Sequence, residues 1–246
     1  MNCRSIFFGI VFGLLSMPTS HGQAEEVTAD VDSLISWLLE NDENLDNIPF
    51  ARVVEATSGH QVLPVIKNDA IDSQMLQLVS SALKACLAQV EVPEHPIHQV
   101  GRVNEISRYI EDILFVELNR SEGYTCTIPV NASGDLQRSG YPDLRFEHVE
   151  SGRVFYIDPK IYKSESERSS FRTFYFEPKD ETNKILDDAS HLILGIAHAG
   201  KVDELWQLSS WQIIDLVAFK VQLKAEFQAS NRDLYHEDAV LGKSNN

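Results

Sequence analysis

The sequence predicts an α/β protein of the α+β type, with a central mixed β-sheet flanked by helices and extra helices on its amino-terminal side. Two changes along the chain predict it. Up to about residue 119 the apolar residues recur at helical spacings of three and four. Beyond that point short segments rich in aromatic and β-branched residues alternate with turn formers, the pattern of strands. No repeat, low-complexity tract or composition break follows residue 25, so residues 25–246 read as one domain. With 43% apolar and 24% charged residues, such a chain can bury a substantial core.

The first residues are read separately. One basic residue, Arg4, precedes the apolar run Ile6–Met17, and small residues follow to Ala24. This is the layout of a secretory signal peptide over residues 1–24, and it implies export to the periplasm or beyond. The run is too short to span a bilayer comfortably.

In Thr28 to Leu45, residues Val31, Leu34, Ile35, Leu38 and Leu39 share a helical stripe. HQVLPVI reads as a short strand. A helix starts after Asp69, with Leu76, Val79, Leu83 and Leu87 on one face. VPEHPIHQ is a proline-interrupted linker. Asn104 to Asn119 forms a further helix through Ile106, Ile110, Ile113, Leu114 and Leu118. YTCTIPV, LRFEHV, RVFYIDPKIY, FRTFYFE and SHLILGIAHA follow as strands, and the tail from Leu205 is mixed.

Charge narrows the function. The formal net charge is −16, and loss of the leader would remove one base and no acid. A surface of this sign supplies no general affinity for phosphate. The basic residues Arg138, Arg145, Lys163, Arg168, Arg172 and Lys179 nevertheless fall close together in sequence, enough for a local basic patch. Cys86 and Cys126 suit either a disulfide or two small buried side chains, and no zinc-ligand spacing occurs. His191 and His198 flank an apolar strand and read as packed histidines; Trp206 and Trp211 read as core.

The chemistry concentrates in SGYPDLRFEHVESGRVFYIDPKIYK, residues 139–163. A hairpin turning at Glu150-Ser151 sets Asp143 opposite Asp158; one turning at Ser151-Gly152 sets it opposite Lys160. Directly opposed residues share a face and faces alternate, so either register brings Asp143, Asp158 and Lys160 to one side. Two carboxylates on one face form an oxygen-rich half-site for a hard cation such as Mg2+. The bland alternative is a solvated hairpin with one salt bridge.

Pro142-Asp143 and Asp158-Pro159-Lys160 resemble the motif of the PD-(D/E)xK nuclease superfamily, the fold of many restriction endonucleases. LQRSGYPDLRFE, RSSFRTFYFEP and VQLKAEFQASNRDLY look similar to endonuclease-like bacterial proteins, and the resemblance spans about residues 100–236. It implies a restriction-endonuclease-like sheet with Asp143 and Asp158 as Mg2+ ligands and Lys160 beside the hydrolytic water. An acid from the preceding helix would join them: Glu105 first, Glu111 second. It also implies a DNA or RNA substrate, with Arg138, Arg145 and Arg172 as contact residues, and it admits a homodimer. Pro159 departs from the usual pattern and predicts either a bend or a distorted site. A non-catalytic exported protein that keeps the fold for binding is the alternative.

Overall fold

Strand pairing organises the molecule, and the computed structural model describes it for residues 21–170, 174–224 and 226–242. The expected leader therefore lies largely outside the described residues, and Arg172 lies wholly outside them. The chain divides into two compact units, Asn47–Gln222 and a terminal unit of Met1–Asp46 with Leu223–Asn246. The terminal unit contains helix α1 (His21–Glu40) and a 3-10 turn at Asp42–Leu45. The leading stripe expected from Thr28 thus ends five residues early as regular helix.

The larger unit opens with β1 (Ile48–Pro49) and α2 (Phe50–Ser58), which stops at Gly59 in the left-handed conformation. Helix α3 (Ala70–Val90) begins where the Asp69 carboxylate accepts hydrogen bonds from the amides of Ile71 and Asp72. Helix α4 (Val103–Leu118) follows the 3-10 turn Pro96–Gln99, close to its expected bounds. Then come β2 (Tyr124–Thr127), β3 (Leu144–His148), β4 (Arg153–Lys163), β5 (Ala189–Val202), β6 (Leu205–Asp215) and β7 (Lys220–Val221). A five-stranded sheet runs β2-β3-β4-β5-β6, and β1 with β7 forms a separate two-stranded ladder. Within the larger sheet β4 and β5 are parallel and the other pairs antiparallel. The mixed α/β fold expected from the sequence is the one observed.

Both faces of the sheet are covered. On one, Val79 and Leu83 of α3 and Ile106, Ile110 and Leu114 of α4 enclose Phe146, Phe155, Ile157 and Leu194. On the other, Phe50 and Val54 of α2 pack with Tyr156, Ile193 and Leu216. This double cover explains why β4 and β5 read as nearly continuous apolar runs. The Cys86 and Cys126 thiols are free, buried in the helix-side core and pushed up to about 12 by burial.

Three expectations need correction. FRTFYFE is not a strand where it is described: Phe174 and Phe176 lie in irregular chain, and both rings pack edge-on against Phe50 at 5.3 and 5.6 Å. Alternating aromatics can bury one side of any extended segment, with or without a ladder partner. HQVLPVI contributes a single parallel bridge, Val62 with Ala189. The mixed tail contains the long strand β6 instead. The terminal unit also contains a short helix, α5 (Asn231–Leu234), capped by the Ser230 hydroxyl, and a 3-10 turn at Glu237–Ala239.

Candidate active site

The β3–β4 hairpin fixes the geometry. Leu144 pairs with Ile157 and His148 with Arg153, which is the register of a turn centred on Glu150-Ser151. Gly152 takes φ 67° and donates its amide to the His148 carbonyl at 2.9 Å, a backbone conformation that favours glycine. One step beyond the Leu144–Ile157 pair, Asp143 faces Asp158, and Lys160 emerges on the same side two residues further along β4. Past Ile157 no β3 residue stands beside β4, so Pro159 removes no bond to that strand. The parallel register with β5 runs through the Pro159–Leu194 pair without a shift.

Burial sets the electrostatics. Asp158 is 1% exposed and Asp143 half-buried. Loss of solvent raises the Asp143 pKa to about 8, reinforced by the negative charges of Asp158 and Glu111. Asp158 is raised too, chiefly by burial, against the opposing pull of Lys160 and a hydrogen bond from Asp143. In the metal-free protein the two carboxyls therefore share a proton carried by Asp143. The Lys160 ammonium forms an ion pair with Asp158 Oδ2.

The two candidate helix acids sit in different places. Glu105 is exposed in the first turn of α4, where its charge suits the helix dipole. Glu111 is half-buried, and burial followed by repulsion from Asp158 raises its pKa. Glu111 and Asp143 line one small cleft together with Arg138. The structure thus brings Glu111, not Glu105, to the aspartate pair. The α4 stripe of Ile110, Ile113 and Leu114 explains this, because it turns Glu111 to the margin of the sheet and leaves Asp112 in solvent.

Arg138 pairs with Asp112 at 3.0 Å at the cleft rim. Arg145 is engaged elsewhere: its guanidinium holds Asp187 through two bonds of 2.8 and 3.0 Å and also reaches Glu147. Tyr156 donates to the same Asp187 carboxylate at 2.7 Å.

Lys184 was not anticipated from the sequence. It is 1% exposed and donates to the Gln137 carbonyl at 3.3 Å. Burial lowers its pKa, while the charges of Asp143, Asp158 and Glu111 work to raise it. Its segment, NKILDD, carries no motif and no spacing relative to Lys160, so only the fold reveals it.

These groups suit a magnesium ion. Among the described residues no three His, Cys, Asp or Glu side chains form a ready-made cage. Magnesium needs none, since it retains several waters and takes one or two carboxylates plus substrate oxygens. The clustered, mutually repelling carboxyls of Asp143, Asp158 and Glu111 supply that donor set.

The sequence model of the type II restriction enzyme MjaV family matches residues 43–238. This chain belongs to that family. It is 32% identical over 225 residues to type II restriction enzyme MjaV of Methanocaldococcus jannaschii, covering 86% of this chain and 94% of the relative. The family match includes the β3–β4 hairpin, α4 and Lys184.

Proposed function

We propose that the protein is a magnesium-dependent endonuclease that hydrolyses DNA phosphodiester bonds, with a site of the PD-(D/E)xK kind. The observation that carries this reading is the one-sided gathering of Asp143, Asp158 and Lys160 at the end of β3, in a chain whose family is that of a restriction enzyme. Asp143 and Asp158 would hold the cation, with Glu111 the helix acid best placed to assist. When bound, the ion supplies a water of lowered pKa and charge stabilisation for an in-line displacement.

The remaining work falls to the chain's own groups. The Lys160 ammonium orients the attacking water and offsets negative charge that develops on the phosphate. Lys184 limits the repulsion among Asp143, Asp158 and Glu111. To hold a cation, Asp143 would have to release its proton. The β4 strand holds Asp158 and Lys160 on a buried, doubly covered scaffold, so neither needs to reorganise during the reaction. Export is proposed on the leader-like segment alone; amino-terminal sequencing of the secreted fraction tests it by asking whether residues 1–24 are absent.

The test of activity is incubation of plasmid DNA with the purified protein and Mg2+, with and without chelator, beside Asp158→Ala and Lys160→Ala. The expected result is chelator-sensitive cleavage in the wild type, reduced at least about 100-fold in both variants. Binding without cleavage in all three proteins would favour the non-catalytic alternative.

A further inference from the structure

A second concavity, of about 280 Å3, opens on the same face of the sheet, and Lys160 forms part of its wall. Its sides are apolar, from Ile193, Ile214, Phe174 and Phe219. Phe174 is itself braced edge-on between Phe50 and Phe219, both at 5.3 Å. Gly195 also lines it, where a Cβ would come into contact with the Tyr162 ring at 3.4 Å. The polar features lie at one edge. Gln212 donates its amide to Glu167 at 2.7 Å and to the Tyr162 hydroxyl at 3.4 Å.

A carboxylate only accepts hydrogen bonds, so the Glu167 contact fixes which way the Gln212 amide faces. Its carbonyl oxygen and the second Glu167 oxygen remain as acceptors. The volume lies near the lower limit of small-ligand pockets, about 300 Å3. Apolar walls, an acceptor edge and a position beside Lys160 together describe one class of occupant. We propose that this pocket receives a single nucleobase swung out of the duplex, one bearing an exocyclic amino group, next to the bond that is cut. Extruding a base costs unstacking energy, which stacking and edge recognition in a fitted pocket offset. The proposal rests on the nuclease reading and deepens it by naming what the enzyme reads.

The test begins by mapping the cut positions on DNA cleaved by the wild-type protein. Duplexes carrying 2-aminopurine at each position around the cut are then mixed rapidly with protein and Mg2+, and fluorescence is followed before cleavage. One position is expected to brighten several-fold. Gln212→Leu, whose side chain is exposed and whose folding a melting curve verifies, is expected to cut that rise at least fivefold at saturating duplex. Replacing the base at that position with a purine lacking the amino group is expected to slow wild-type cleavage at least tenfold and to have little effect on Gln212→Leu. Cleavage with no brightening at any position overturns the pocket and leaves the nuclease reading standing. Brightening that survives Gln212→Leu places the base elsewhere and also overturns it. Absence of cleavage of any DNA removes the nuclease reading itself, and the pocket proposal with it.

Discussion

At the scale of single residues, Asp143 couples folding to pH. In the unfolded chain an aspartate loses its proton near 3.9, whereas the folded, metal-free Asp143 keeps it to about 8. Between those values the native state binds more protons than the unfolded state, so stability falls as pH rises. The Asp143 contribution is therefore fully present below about pH 4 and is lost through about pH 8, at up to about 1.4 kcal/mol per pH unit. Asp143→Asn should flatten this slope and stabilise the metal-free protein at pH 8, while abolishing cleavage. Urea titrations of both proteins at pH 5 and pH 8 check it; equal slopes would count against a shared proton.

The helix acids give a second residue-scale prediction. Glu111→Gln should weaken the Mg2+ dependence of cleavage, raising the concentration for half-maximal rate several-fold. Glu105→Gln should leave that concentration unchanged, because Glu105 faces solvent. The sequence named two acids of α4, Glu105 first and Glu111 second, and the structure sets Glu111 nearer the aspartates. Charge spacing on a helix shows which residues share a face; it does not show where a sheet ends beside it. Asp143, Asp158 and Lys160 were legible because strand alternation alone relates them. Lys184 was not, since it stands 24 positions after Lys160 in sequence and no periodicity spans that gap.

At the scale of elements, the hairpin register is the feature that assembles the site. A slip of one residue would send Asp143 and Asp158 to opposite faces. Gly152 pins the turn at φ 67°, and a Cβ there would meet no atom within 4 Å. Gly152→Ala should therefore cost only the conformational strain, roughly 1–2 kcal/mol, with activity per folded molecule retained. Chemical denaturation and a cleavage assay together check this; lost activity in a folded variant would mean the register is held more weakly than described.

The same scale shows where sequence reading ends. The β5–β6 hairpin turns at Asp203 and Glu204, both left-handed at φ 48° and 64°. That turn ordinarily announces itself with Asn-Gly or Asp-Gly, so without glycine the tail read as mixed and β6 went unseen. FRTFYFE erred in the opposite sense. In its described part Phe174 and Phe176 are half-buried by aromatic packing on Phe50 and Tyr141, and for Phe174 also on Phe219, without a ladder. The long helices α3 and α4 were legible because both carry an unbroken apolar stripe, and α3 also carries its Asp69 cap.

At the scale of the whole molecule, charge and substrate are in tension. A chain of net charge −16 meets a polyanion, and Arg138 at the cleft rim and Arg145 on β3 are already paired, with Asp112 and with Asp187. Charge for phosphate must then come largely from the cation. Removing Mg2+ should lower duplex affinity at least tenfold in fluorescence anisotropy at constant ionic strength. Affinity unchanged by chelator would place the binding surface away from the carboxylates.

The central claim is that Asp143 and Asp158 together grip a divalent cation at the end of β3. Calorimetric titration of Mg2+ into the protein with duplex DNA present, beside Asp158→Asn, tests it most directly. The account predicts saturable binding with proton release in the wild type and neither in the variant. Identical isotherms for the two proteins would contradict it.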